Sequence, residues 1–275
     1  MDTTPGQDDA MPVALSIAGS DSSGGAGIQA DLKTFSVLGV YGTTALTCIT
    51  AQNPGGVSGI RVLDPDFIGD QIRAVCEAYP VLVAKTGMLY DAEIIRSVAG
   101  AIVREGIPTL VVDPVMVAAS GAKLLRDDAI EALCTTLLPQ ARVITPNTHE
   151  AEILCGHAIR TEQDLRDAAR EIGDRFDIAC LAKGGHLEGE EVIDVLYDEG
   201  SETIFRMPRL RDAETHGAGC TFSAALTAYL AQGDLLEDAA DKAKGFVHEA
   251  LAQATRAGRY RPLNFFWTAD DEPVS

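Results

Sequence analysis

The sequence is short of lysine, of paired cysteine motifs and of long apolar runs, and each shortage excludes something. Only six lysines (Lys33, Lys85, Lys123, Lys183, Lys242, Lys244) occur in 275 residues, and acidic residues outnumber basic ones 41 to 22, a formal net charge of −19. A surface of that sign repels nucleic acid and anionic membranes, so neither is expected as a partner. The same bias is what adaptation to high salt produces, since screening weakens the self-repulsion of a dense acidic surface. No apolar segment approaches the roughly 18 residues that a transmembrane helix needs. The opening MDTTPGQDDAMP is acidic and lacks the basic start of an export signal, so residues 1–11 read as a flexible tail and the protein as cytoplasmic. Residues 268–275 read as a second tail. The six cysteines (Cys48, Cys76, Cys134, Cys155, Cys180, Cys220) form no CxxC pair, which disfavours zinc and redox motifs. Five of them sit in apolar or helical runs, as small hydrophobes of a reduced core. Cys220 is the exception. His149, His186 and His216 make no HxxxH or HxH pair, so no histidine-held metal is inferred.

What is present is alternation. The short runs VALSIAG, TTALTCIT, VLVAKTG, TLVVDPV, RVITPN and IACLAKGG read as strands buried on both faces, the pattern of parallel strands. Helical patterns lie between and after them at 28–38, 66–79, 92–104, 128–138, 162–176, 218–230 and 236–257. The alternation predicts an α/β protein with one doubly wound sheet and helices on both faces, forming a single domain over residues 12–267. The segment VIDVLYDEGSETIFRMPR breaks the rhythm and reads as a hairpin turning at DEGSE. In such sheets a ligand lies beyond the carboxyl ends of the strands. GSDSSGGAG, AQNPGG, KTGM, DPVM, TPNTHE and KGGH all follow strands and would share that rim.

Two of these loops are glycine turns leading into helices. GSDSSGGAGIQADLKTF is neither GxGxxG nor a P-loop, and on its own it is equally well a tight strand-to-helix turn. Asp31, one turn into that helix, reads alone as a dipole partner. In THGAGC, the amides of Gly217, Ala218 and Gly219 can form an anion hole at a helix start. Cys220 then falls in the first turn, where the helix field and a bound cation would lower its thiol pKa and fit it for a catalytic base; a small residue tucked under the turn is the plainer alternative. Asn147 and Glu150, three apart in TPNTHE, suit a Mg²⁺ site as well as an N-cap with its capping-box acid. Lys183 in AKGGH suits a phosphate, and Asp113 in VVDPVM is either a metal-side carboxylate or a turn acid.

Together these stretches resemble the hydroxymethylpyrimidine/phosphomethylpyrimidine kinases of thiamine biosynthesis, within the ribokinase-like superfamily. The resemblance runs from about Pro12 to Trp267 and rests on SIAGSDSSGGAGIQADLKTFSVLGVYG, TAQN, KTGML, VVDPVMVAASG, LLP, ITPNTHEAEIL, AKGGH and THGAGCTFSAALTAYLAQG. It implies a three-layer αβα sandwich on a mostly parallel sheet, with ATP and Mg²⁺ as cofactors. It also implies two successive phosphoryl transfers, from 4-amino-5-hydroxymethyl-2-methylpyrimidine to its monophosphate and then its diphosphate. By the same resemblance Gln52 contacts the pyrimidine, with Asp31, Gly19, Ala26 and Met88 lining its pocket. Lys183, Asn147 and Asp113 fall on the ATP side, Glu150 on the Mg²⁺ side, directly or through water, and Cys220 at the base position. Ala218 stands where relatives commonly carry threonine. The chain ends soon after PLNFFW, so the synthase domain that accompanies some relatives is expected to be absent. A homodimer is expected. Pyridoxine or pyridoxal kinase activity is the nearest alternative, and a non-catalytic vitamin-precursor-binding protein a more distant one. A dinucleotide-dependent oxidoreductase is excluded by the first turn's glycine spacing.

Overall fold

A computed structural model describes residues 10–116 and 127–267. Nearly all of both expected tails, and Val117 to Gly121 of the VVDPVMVAASG motif, therefore lie outside the described residues. Parallel strands supply the centre: β1 (Val13–Ser20), β2 (Tyr41–Asn53), β4 (Val81–Thr86), β5 (Thr109–Val112), β6 (Val143–Ile144) and β7 (Ala179–Lys183). Antiparallel β3 (Gly56–Val62) closes one edge, and β8 (Glu191–Asp198) with β9 (Ser201–Pro208) the other. The spatial order is β3-β2-β1-β4-β5-β6-β7-β8-β9. The expected hairpin is β8 and β9, with Asp198 opposite Ser201 at its turn.

Successive residues on each central strand enter opposite layers, as a period of two requires. Leu15, Ala84, Leu110 and Ile144 pack on one side, while their neighbours Ala14, Val83, Val111 and Val143 pack on the other. The first side is covered by α2 (Pro65–Ala78), α3 (Ala92–Glu105), α5 (Thr148–Cys155) and α6 (Glu162–Phe176), through side chains such as Ile72, Ile95, Leu154 and Ile172. The second is covered by α1 (Gly27–Val37), α7 (Ala218–Ala231) and α8 (Leu236–Ala252), through Phe35, Phe222, Leu226 and Phe246. The result is the three-layer sandwich.

Three local departures have physical causes. The helix expected over 128–138 is α4 (Asp127–Ala132), a π turn (Leu133–Leu137) and a 3₁₀ turn (Leu138–Gln140). Thr135 and Thr136 bond back to Glu131 O and Ala132 O at 2.8 and 2.6 Å, and Pro139 lacks an N–H, so the regular ladder is interrupted. Strand β3, GVSGIRV, was not expected because its two glycines hide any alternation; it forms by pairing with β2. The last helix stops at Ala252 rather than 257.

Helix starts divide into two kinds. Asp64, Asp91, Asn147 and Thr161 cap α2, α3, α5 and α6 with their own side chains, satisfying first-turn amides. Helices α1, α7 and α8 begin at Ala26, Gly217 and Leu235 without a side-chain cap, and the α1 and α7 starts bear on the site. Both of those starts open onto the same cleft.

Candidate active site

The cleft lies beyond the carboxyl ends of the parallel strands and encloses about 1040 Å³. Gly19, Ala26, Gln52 and Met88 line one region of it. Gly19 leaves β1 close to β2: a Cβ there would stand 2.7 Å from Cys48 Sγ. The Gln52 side chain lies 3.0 Å from Thr50 Oγ1, whose hydroxyl donates to Ser20 O at 2.7 Å, and the Gln52 backbone N–H donates to Ser22 Oγ at 2.9 Å.

Asp31 does not join them. It is fully buried, its two oxygens each accept from Lys85 Nζ at 2.9 Å, and Ser16 Oγ donates to it at 2.5 Å. Neither the pocket contact nor the dipole role expected of it holds: helix α1 turns its Asp31 face into the sheet, where only an ion pair tolerates a carboxylate. Burial alone would strip the Lys85 proton, but the Asp31 carboxylate outweighs it and raises the ammonium pKa.

Asp113, Asn147, Glu150 and Lys183 line another region. Lys183 Nζ lies 3.2 Å from Asp113 Oδ1, and Ser223 Oγ donates to Asp113 Oδ2 at 3.1 Å. The ammonium also sits 3.6 Å from where a Cβ on Gly219 would be, which places it beside the α7 start. Asn147 and Glu150 form the capping box: Glu150 N reaches Asn147 Oδ1 at 3.0 Å and Asn147 N reaches Glu150 Oε2 at 2.9 Å. Glu150 Oε1 accepts from Met116 N at 3.2 Å. Burial, helped by the Asp113 carboxylate and opposed by Lys183, raises the Glu150 carboxyl to about 7. Two neighbouring buried carboxylates with one lysine between them fit a divalent cation, which would relieve that repulsion.

The α7 turn corrects two expectations. Gly217 adopts a left-handed φ of 85°, and a Cβ there would fall 1.8 Å from Gly25 O, so only glycine lets the two loops meet. The Ala218 amide is already spent on Thr215 O at 3.0 Å and is not free for an anion. The helix ladder begins with Thr221 N to Gly217 O at 2.9 Å, so the amides of Gly219 and Cys220 precede it and face the cleft end. The Cys220 thiol is not depressed. Burial pushes it up to about 11, against the pull of the Lys85 ammonium and the Gly27 N–H; the nearby Asp31 and Asp113 carboxylates push the same way as burial.

Residues the sequence reading left aside complete the site. Asp21, 2% exposed, accepts from Ser23 N and Ala26 N, both at 2.8 Å, and from His216 Nε2 at 3.1 Å. Burial alone would raise its carboxyl, but these bonds, led by His216, lower it to about 2. The signal was there in SDSS, a sequence typical of an Asx turn. The rings of His149 and His186 meet edge-on at 4.7 Å on the rim. Lys244 and Asp194 form a second buried pair at 2.7 Å on the cleft wall.

Comparison with known proteins agrees with this geometry. The sequence matches the phosphomethylpyrimidine kinase family over residues 21–264. It is 47% identical over 247 residues to the hydroxymethylpyrimidine/phosphomethylpyrimidine kinase of Rhizobium meliloti, covering 89% of this chain and 92% of that one. To the thiamine biosynthesis bifunctional protein of Geobacter sulfurreducens it is 46% identical over 258 residues, 94% of this chain; it spans about half (53%) of that relative's length. Bacillus subtilis pyridoxal kinase, solved as an ADP complex, superposes with a TM-score of 0.86 at 38% identity, covering 94% of this chain and 99% of that one. With its mostly parallel ribokinase-like sheet and its two glycine turns meeting over one cleft, the chain belongs to the phosphomethylpyrimidine kinase family.

Proposed function

We propose that the cleft transfers the γ-phosphoryl group of ATP to 4-amino-5-hydroxymethyl-2-methylpyrimidine, and a second phosphoryl group to the monophosphate, in thiamine diphosphate biosynthesis. The observation that carries this reading is the α7 start: Gly219 and Cys220 amides, Lys183 and the Cys220 thiol converge where the Gly24–Gly27 loop meets it. Phosphoryl transfer through a loose transition state asks mainly for positioning and charge stabilisation, which such a constellation supplies.

In the first reaction the 5-hydroxymethyl oxygen forms the new bond to the γ-phosphorus, the bridging P–O bond breaks, and ADP leaves. Gln52 orients the aminopyrimidine edge with Gly19, Ala26 and Met88 around it. Lys183 and the α7 amides take up charge on the transferred group, and Asn147 holds Glu150 in place on the nucleotide side. A Mg²⁺ ion held by Glu150, with Asp113 nearby, would neutralise developing phosphate charge. Cys220 receives the hydroxyl proton as its thiolate, which with the thiol pushed up to about 11 by burial is the minor form at neutral pH. Because burial holds that thiol high, its part is at the low end of general-base effects, about 10²-fold. In the second reaction the nucleophile is a phosphate oxygen that is already ionised near neutral pH, so no base is required.

The likeness to pyridoxal kinase supports a second reading, phosphorylation of pyridoxine or pyridoxal at the same site. Incubation of the purified protein with ATP-Mg²⁺ and each substrate separates them. A pyrimidine diphosphate is expected; pyridoxine phosphate as sole product would overturn the first choice. A homodimer is proposed as well; Ile49 and Phe67, 49% and 56% exposed, are among the large apolar side chains left at the surface. Sedimentation as a monomer at micromolar concentration would reject it. A cytoplasmic home fits six cysteines that are all free thiols.

A further inference from the structure

The loop after β1 and the turn before α7 are 195 residues apart in sequence, yet His216 Nε2 meets Asp21 Oδ2 at 3.1 Å, beside the bond from the Gly27 N–H to the Cys220 thiol at the two helix starts. Around it the two backbones are in contact. Gly217 leaves no room for a Cβ against Gly25 O, and a Cβ on Gly25 would stand 2.8 Å from His216 Cδ2, so the imidazole lies directly on the glycine loop. Glycine against glycine gives close approach but no directional bond, so nothing in that contact stops one loop from sliding along the other. The His216–Asp21 bond supplies direction at the loops themselves, where the Gly27 N–H to Cys220 thiol bond ties only the helix starts behind them.

Asp21 is unsuited to any other task. Its Oδ1 accepts from Ser23 N and Ser23 Oγ, both at 2.8 Å; its Oδ2 accepts from Ala26 N at 2.8 Å, Ser23 Oγ at 3.0 Å and His216. A carboxylate offers about four lone-pair positions, so none remains for a metal or a substrate proton. The Ser23 and Ala26 bonds shape the loop locally. The His216 bond alone reaches outside it.

We propose that Asp21 and His216 are positioning residues whose bridge fixes the substrate-side loop in register with the phosphate-side turn. This rests on the kinase reading above: the attacking oxygen is held by one loop and the phosphorus by the other. A relative shift of about 1 Å then costs on the order of 10²-fold in rate.

The test is steady-state kinetics of the first phosphorylation in His216→Ala, His216→Gln, Asp21→Asn and the His216→Ala/Asp21→Asn double variant. His216→Ala is expected to lower kcat by roughly 10- to 100-fold, with KM for both substrates moved by less than about threefold. His216→Gln restores most of the loss, because its amide N–H reaches the place of Nε2. The double variant is no slower than the slower single one, the mark of a shared interaction. Losses that multiply, a failure of glutamine to rescue, or a raised KM at unchanged kcat would each overturn the proposal. If Asp21→Asn does not fold, the alanine and glutamine variants at position 216, whose side chain is 21% exposed, decide alone. A wild-type protein inactive on every substrate would sink the kinase reading and this inference with it; an active one with multiplying losses sinks only the inference.

Discussion

Lys85 and Lys183 stand near the ends of two parallel strands, β4 and β7, and each meets an aspartate from another segment, Asp31 on helix α1 and Asp113 after β5. Lys85 is fully buried and grips both oxygens of Asp31 at 2.9 Å, with Ser16 adding a third donor. Lys183 touches one oxygen of Asp113 at 3.2 Å, keeps 13% of its side chain exposed and looks into the cleft. The chemistry of the two pairs is the same, and their surroundings separate them. A pair with every group matched and no solvent holds a structure together, whereas a loosely held lysine has donors left for a phosphate.

Breaking the closed pair should give the largest effect. Lys85→Met strands the Asp31 charge and is expected to remove about 3–5 kcal/mol of stability, read by chemical denaturation. The Lys85→Met/Asp31→Leu variant should recover most of it. A Lys85→Met protein as stable as wild type would erase the distinction between the two pairs.

Lys183→Met addresses the open pair. It is expected to lower kcat/KM for ATP by about 10²–10³-fold. Its loss of stability should be smaller than that of Lys85→Met, because Ser223 and Thr145 still donate to Asp113. Cys220→Ala comes next, since Cys220 feels the Lys85 ammonium without bonding it. The first phosphorylation should slow by about 10²-fold while the second, assayed separately from the monophosphate, changes little. Equal losses in both steps would assign Cys220 to packing or phosphate contact.

The smallest expected effect is pH-dependent and belongs to the carboxylate that bridges two loops rather than pairing with a lysine. Asp21 is lowered from 3.8 to about 2 by its hydrogen bonds, so its stabilisation is complete above pH 3.8 and lost as pH falls through 2. The thermal midpoints of wild type and Asp21→Asn should differ most at pH 5 and converge toward pH 2. A gap independent of pH would show that the carboxylate's charge plays no part.

The parallel strands were legible because burial on both faces leaves a continuous apolar run, and the rim loops because glycine and polar residues cluster at the strand ends. The pieces that escaped lack such a local mark. Strand β3 is specified by its pairing with β2 rather than by its own GVSGIRV, and α5 is an eight-residue helix announced mainly by its cap. Lys85 was a clue passed over, since a lysine within VLVAKT has to find a buried partner. Asp31 went the other way: family likeness set it in the pocket, and only the packing of α1 against β1 and β2, with Lys85 of β4 reaching its carboxylate, shows it closed off. The Cys220 environment was misjudged because helix position speaks for a low thiol pKa while depth of burial, invisible in one dimension, speaks against it more strongly.

The sequence by itself determined the alternation of strands and helices apart from β3 and α5, the αβα layering, the family and the strand-end loops that build the cleft, since each depends on local pattern and spacing. The tertiary structure alone decided which charges face ligand and which face each other, that the Ala218 amide is spent within its turn, and that His216 reaches Asp21 across 195 residues. Burial and partner geometry are properties of contacts between distant segments, and in electrostatics those contacts outweigh residue type.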